Sequence, residues 1–339
     1  LAVPLALLPY RLAGHGFSLL SLAALATAIL LLFADRETGR RRTMVLTGLM
    51  AASVFAPVHQ TLHLGQVNCI VFLCCALGLH FARRNSVWLA GLFVALAVSI
   101  KLFPLVLLPF FVVRRQFRLL GTSLLFITVL AGAAAAVGGP ELYRLFFGSV
   151  LPSQYFAGAY FANQGFEGFF TRLLTHNEYV QSLGDYPGAA RIAALIAGLA
   201  VVASTYFVVW RRGSREPLRY DLGYGLCLAA ALLFQAKSYE HHAVVLLFSF
   251  LFMFEALIYC DSNRQWLLTV VCLSFAVWSF LLTSESEYLK LPRSVVINVL
   301  FSAKFSATLA LWAAGTYWYA ATHPPVASKL PAASAQAGS

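Results

Sequence analysis

The residues best equipped for chemistry sit where apolar runs begin or break. Lys237-Ser238-Tyr239-Glu240-His241-His242 opens the run 243–259. A helix N-terminus favours neutral imidazole, which can accept a proton, so His241 and His242 are candidate bases. Glu240 can orient one of them or act as a base itself, and Lys237 adds a cation. Adjacent histidines diverge on a helix and lack the i,i+4 spacing of a metal pair; neither a metal nor a cofactor is expected. The same run also suits an interfacial polar cap.

Lys101 interrupts the apolar run AGLFVALAVSIKLFPLVLLPFF. A lysine inside a membrane segment is costly and is a functional candidate by default. Pro104 has no N–H and breaks the helix around Ile100 and Lys101, which sets an ammonium beside an opened helix end, a suitable phosphate clamp. A lysine reaching out to the interface would look the same. Gly65-Gln66-Val67-Asn68 starts another run. Free N–H groups there favour an anion, and the amides of Gln66 and Asn68 suit sugar hydroxyls or a neighbouring helix. Asn163-Gln164-Gly165, Gly168 and Arg172 form a further group. Arg172 can grip a phosphate with two bonds, order its own loop or meet a lipid headgroup.

The elements that must position these residues are membrane helices. Only 11% of the 339 residues are charged and 60% are hydrophobic, against roughly 25% and 45–50% in soluble domains. That excludes a soluble enzyme, a disordered chain and a disulfide scaffold. Apolar runs near 20 residues, separated by short Arg-rich loops, predict an all-α, polytopic membrane protein. Segments are expected at 17–33, 44–62, 66–82, 87–100, 102–113, 117–138, 189–210, 222–236, 243–259, 265–283 and 295–320. The two flanking Lys101 rise only about 20 Å against a hydrocarbon core of about 30 Å, as in a re-entrant hairpin or a broken, tilted pair. Residues 1–10 read as the last turns of a helix begun before Leu1, without the features of a signal peptide. The cysteines lie mostly inside the runs and read as small apolar residues.

Thirteen of the 24 basic residues fall in four clusters. These are Arg36, Arg40, Arg41 and Arg42; Arg83 and Arg84; Arg114, Arg115 and Arg118; and Arg211, Arg212, Arg215 and Arg219. Segment parity puts all four on one side, which the positive-inside rule makes cytoplasmic. The net charge of +11 therefore reads as orientation in a plasma membrane and not as nucleic-acid binding. The candidate residues collect on the opposite, extracytoplasmic face with most carboxylates, including Glu141, Glu167, Glu178, Asp185, Glu285 and Glu287. The one long connection, 139–188, is rich in Phe, Tyr and Gly and is expected to lie as interfacial helices on the outer leaflet. Residues 1–322 are read as one transmembrane domain and 323–339 as a disordered cytoplasmic tail.

In this order the motifs resemble the bacterial GT-C superfamily mannosyltransferases that act on phosphatidylinositol mannosides. The matching residues are Gly65-Gln66-Val67-Asn68; Ala90-Gly91, Ile100-Lys101 and Pro104; Arg114-Arg115 and Arg118; Asn163-Gln164 with Gly168 and Arg172; and the run 239–242. The resemblance covers roughly residues 1–260. It implies a GT-C-like bundle of about 10–12 apolar segments and a polyprenyl-phosphate sugar donor, commonly of mannose. It also implies a lipid or glycan acceptor, membrane lipids as surroundings, and inverting transfer outside the cytoplasmic membrane. That chemistry needs a base, cations for the leaving phosphate and a greasy groove; Lys101, Arg172 and Lys237 would supply the cations. Family members usually carry a catalytic carboxylate in the first outer loop, ahead of the point where this sequence starts. The resemblance thus implies that the expected base lies outside these 339 residues, that the chain alone is inactive, and that Glu240 is only a substitute. A lipid-linked sugar transporter or a polysaccharide polymerase shares the polytopic, outward-facing plan.

Overall fold

The computed structural model describes residues 7–154, 158–212, 216–260, 264–281, 294–295 and 297–322. Arg215, Glu285, Glu287, residues 1–6 and the 323–339 tail lie outside them. The described residues form helices and no strands; the one β-bridge is an isolated pair, Asn163 with Tyr239.

The apolar runs become helices because a chain in hydrocarbon must satisfy its own backbone groups. In order they are α1 (Tyr10–Leu32), α2 (Thr38–Val54), α3 (Ala56–His63), α4 (Asn68–Arg83), α5 (Val87–Ile100), α6 (Leu107–Val113), α7 (Phe117–Gly138), α8 (Phe166–Leu174), α9 (Pro187–Arg212), α10 (Pro217–Phe234), α11 (Leu246–Tyr259), α12 (Gln265–Phe280) and α13 (Ala303–Ala321). Short 3-10 turns, Phe103–Val106 and Glu240–Val245, lead into α6 and α11. The chain is an all-α, polytopic membrane protein: α1, α7, α9 and the stretch Glu240–Tyr259 are each long and apolar enough to span a bilayer, and shorter apolar helices pack beside them.

α10 and α11 are the centre. Every residue of α10 from Leu218 to Leu233 is buried, its two charged residues, Arg219 and Asp221, included. α9, α11 and α13 pack on α10, while α1, α4, α5 and α7 pack in succession beside them. Only Leu119 and Ser123 of α7 are buried, so most of that helix faces outward.

Three expectations change. The segment 44–62 is bent by 59° between α2 and α3. Pro57 has no N–H for the carbonyl of Ser53, and the His59 imidazole takes that carbonyl instead, at 2.8 Å. Residues 7–9 are turn and bend, and helix begins at Tyr10. The 139–188 stretch divides in two. Its first part is helical through Glu141–Leu145, Phe146–Val150 and Leu151–Gln154 and exposes Leu142, Leu145 and Phe147, as an interfacial helix would. α8 instead docks against α9, with Phe166, Gly168 and Arg172 buried. Phe166 and Phe169 pack on Phe305 of α13, each with ring centroids 5.1 Å apart.

At one end of the bundle, α1, α4 and α11 finish where α10 starts, and charges meet there. Arg36 donates to Asp221 Oδ2 and Glu255 Oε1, both at 2.6 Å. Arg40 reaches the same Glu255 oxygen at 2.7 Å. Arg83 donates to Asp221 Oδ1 at 2.7 Å and to the Leu32 carbonyl at 2.8 Å. Arg219, also buried, donates to the carbonyls of Tyr319 (2.6 Å), Thr322 (2.9 Å) and Arg212 (3.2 Å). It thereby closes the C-terminal ends of α13 and α9, where free carbonyls attract a cation. Arg36, Arg83 and Arg219 thus serve the interior as well as the charge bias of the loops.

Truncating one member of a buried charge cluster strands its partners, at a cost of about 3–5 kcal/mol. Asp221→Ala is therefore expected to lower the melting temperature in detergent sharply, since it leaves both Arg36 and Arg83 short of an acceptor. Replacing the exposed Arg41 and Arg42 together should leave it nearly unchanged.

Candidate functional site

The opposite end of α4, α10 and α11 gathers the other polar residues. α4 has 16 residues, so its two ends are separated by about 24 Å. The chain approaches this end through α3, which closes with a Schellman turn: Gln66 N–H bonds the Thr61 carbonyl at 2.8 Å and Gly65 N–H the Leu62 carbonyl at 3.2 Å. Gly65 takes the left-handed position, φ 60°, which glycine adopts without steric cost. α4 then starts at Asn68.

Asn68 is buried. Its Nδ2 donates to Thr61 Oγ1 at 3.2 Å, while its Oδ1 has no hydrogen-bond partner. Thr61 Oγ1 in turn donates to the His241 carbonyl at 3.1 Å. This short relay ties the start of α4 to the 3-10 turn Glu240–Val245. Gln66 is half-buried beside it.

Glu240 is buried and held from two sides. Gln60 of α3 donates to its Oε2, and Lys304 Nζ lies 2.9 Å from the same oxygen. The Glu240 and Lys304 side chains are each only 2% exposed. Lys304 also sits 5.6 Å from the centre of the Trp278 ring. The residue therefore behaves as an anchored carboxylate between α3 and α13.

The imidazoles are half-buried. Their centroids are 4.5 Å apart, edge to face. His242 Nδ1 lies 3.0 Å from the Lys237 carbonyl, closer than the 3.3 Å to the Gln235 amide. A carbonyl only accepts, so Nδ1 carries the hydrogen and Nε2 keeps its lone pair. Lys101 follows the last residue of α5 with an extended backbone, φ −144°. The structure thus brings His241 and His242 together, with Glu240 on the same turn.

Asn163, Gln164 and Arg172 are spent on the scaffold. Asn163 Nδ2 donates to the Ala236 carbonyl at 2.8 Å, and its Oδ1 accepts from Ser238 N–H at 3.0 Å. Gln164 Nε2 donates to the Phe301 and Phe161 carbonyls, and Oε1 accepts from Phe305 N–H. Arg172 is fully buried. It donates to the carbonyls of Tyr160 and Asn163 at 3.0 Å, to Ser302 Oγ at 3.0 Å and to Asn298 Oδ1 at 3.3 Å. Of the roles open to Arg172 from sequence, these bonds match loop ordering. Gly168 permits it: a Cβ there would fall 2.2 Å from the Asn163 carbonyl oxygen. Asn163 holds the 235–239 segment from behind, Arg172 holds the Asn163 carbonyl in turn, and Lys237 on that segment is half-buried.

Among the described residues, no group of three or more His, Cys, Asp or Glu is arranged to hold a metal. A cavity of about 370 Å³ opens in the long connection between Tyr160, Thr171, His176 and Asn177; Lys101, His241 and His242 do not line it. Sequence reasoning passed over Lys304, Gln60 and Thr61. Lys304 carried the signal that marks Lys101, a lysine within an apolar run. Gln60 and Thr61 carried none, since only the bend at Phe55 turns α3 toward the Glu240 turn.

Residues 1–236 match the family model described as glycosyltransferase family 87. Among curated proteins the chain is similar to a polyprenol-phosphate-mannose-dependent alpha-(1-2)-phosphatidylinositol pentamannoside mannosyltransferase of Mycobacterium tuberculosis (strain CDC 1551 / Oshkosh). The two are 28% identical over 248 residues, 71% of this chain and 53% of the relative. The chain therefore spans about half the length of that relative. No solved structure gives a significant match.

Each buried polar group stranded without a partner costs about 1–3 kcal/mol. Arg172→Ala strands the buried Asn163 carbonyl and removes the bonds to Tyr160, Ser302 and Asn298, so a large drop in melting temperature is expected, with an unchanged donor KM in the protein that survives. A raised KM at wild-type stability would instead mark Arg172 as a phosphate ligand.

Proposed function

This chain belongs to glycosyltransferase family 87, a GT-C family, and from that premise we propose that it moves a mannosyl group from a polyprenyl-phosphate donor to a lipid or glycan acceptor on the extracytoplasmic face of the cell membrane. That it is a membrane glycosyltransferase follows from the family and the apolar helices. The donor class is supported by the name of the mycobacterial relative. The face is supported by the arginine clusters, which gather at the other end of the bundle.

The observation that carries the reading is the pair of imidazoles, 4.5 Å apart on the turn anchored by Glu240 and Lys304, with Lys101 at the broken end of α5. Residues 65–101 and 163–172 lie inside the matched region, and the run 237–242 begins just past it. In the transfer, an acceptor hydroxyl oxygen bonds to the anomeric carbon as the bond from that carbon to the phosphate oxygen breaks. The leaving phosphate keeps the electron pair, and the configuration inverts. Lys101 and Lys237 balance the charge that develops on the phosphate. His242 Nε2 receives the hydroxyl proton, because Nδ1–H is committed to the Lys237 carbonyl. His241 supports that ring edge to face. The unpartnered Oδ1 of Asn68, with Gln66 next to it, accepts from sugar hydroxyls. Glu240, clamped by Lys304 and Gln60, sets the position of the turn.

Membranes carrying the full-length protein, given labelled polyprenyl-phosphate mannose and a bacterial lipid extract, are expected to form labelled glycolipid. Lys101→Ala removes a charge-assisted bond worth about 1.5–3 kcal/mol, so donor KM should rise roughly 10- to 150-fold. His242→Ala should lower kcat by about 10²–10⁴-fold with little change in KM. Unchanged kcat in His242→Ala would remove the histidine from proton transfer. Movement of the labelled donor across vesicles without product would favour a transporter.

A further inference from the structure

The arginine-rich end holds a depression that sugar transfer does not use. It is a cavity of about 340 Å³ lined by Asn85, Arg115, Gln116, Phe117 and Arg118, among others, and no carboxylate lines it. It exists because two Schellman turns lie side by side. Ser86 N–H bonds the Phe81 carbonyl at 2.9 Å to close α4, and Gln116 N–H bonds the Phe111 carbonyl at 2.8 Å to close α6. Asn85 and Arg115 take the left-handed positions, φ 55° and 56°. The helices that leave these turns, α5 and α7, pack along each other, so both start at the cavity. Gln116 is held by the Tyr220 hydroxyl, which donates to its Oε1 at 2.8 Å. Arg115 and Arg118 are exposed.

Two arginines without a lining carboxylate select an anion, and the surroundings select a lipid. Trp88 and Phe117, at the starts of α5 and α7, are 62% and 61% exposed, as aromatic residues at headgroup depth are. Leu124, Leu125 and Val129 on α7 are also exposed and continue an apolar track away from the cavity. A free phosphate has no use for the aromatic rim or for the track. We propose that this cavity binds the headgroup of an anionic glycerophospholipid, with Arg115 and Arg118 on the phosphate and the acyl chains along α7. The site stands apart from the transfer chemistry.

Native mass spectrometry of the full chain in detergent tests this, with phosphatidylglycerol, phosphatidylcholine and inorganic phosphate as probes. The wild type should retain one phosphatidylglycerol at least about tenfold more tightly than phosphatidylcholine. Each basic residue near an anionic headgroup contributes about fivefold, so replacing both arginines (Arg115→Gln with Arg118→Gln) should weaken binding roughly 30-fold. Arg41→Gln with Arg42→Gln removes the same charge from another arginine cluster and should leave the bound lipid in place. Wild-type protein without a lipid preference would overturn the proposal without recourse to variants. Equal losses in the two double variants would reduce it to diffuse attraction. Displacement of the lipid by millimolar inorganic phosphate would reassign the cavity to free phosphate.

Discussion

Asp221 accepts from Arg36 and Arg83 at once, and the architecture depends on that convergence. Charges this deep in an apolar chain are tolerable only when they are matched and hydrogen-bonded. Matching them requires α1, α4, α10 and α11 to finish or start at one level. Glu255 adds Arg40 of α2 to the same assembly. Arg219 does similar work with neutral partners by closing α9 and α13. Once these ends are pinned, the other ends of the same helices have little freedom, and that is where the candidate site forms.

The site end is built differently. Its helices stop short or bend, through the proline at 57, the glycine at 65 and the 3-10 turns before α6 and α11. Irregular backbone at membrane depth survives only when it is covered by protein or lines a cavity. Here Asn163 bonds the Ala236 carbonyl and the Ser238 N–H just ahead of the Glu240 turn, and Arg172 holds the Asn163 carbonyl from behind. The side chains left over, Lys101, His241, His242 and the oxygen of Asn68, are those not consumed by scaffolding. A glycosyl transfer needs such a remainder: cationic and basic groups held still by neighbours that take no part in the reaction.

The apolar runs and arginine clusters determined much of this from sequence alone. Hydrocarbon leaves the backbone no partner except itself, so a long apolar run becomes a helix whatever surrounds it. The starts of α4 and α11 and the break at Lys101 were legible for the same reason, because each is a local departure from that rule. Tertiary structure alone decided which polar residues stay available. Arg172 and Lys101 look alike in sequence, as cations among apolar residues, yet one is buried and hydrogen-bonded to loop carbonyls and the other sits half-buried at the broken end of α5. Glu240 and Lys304 are 64 residues apart and meet at 2.9 Å. A carboxylate's role depends on what stands opposite it, and in a bundle that is fixed by helix packing between distant segments, which no local spacing records.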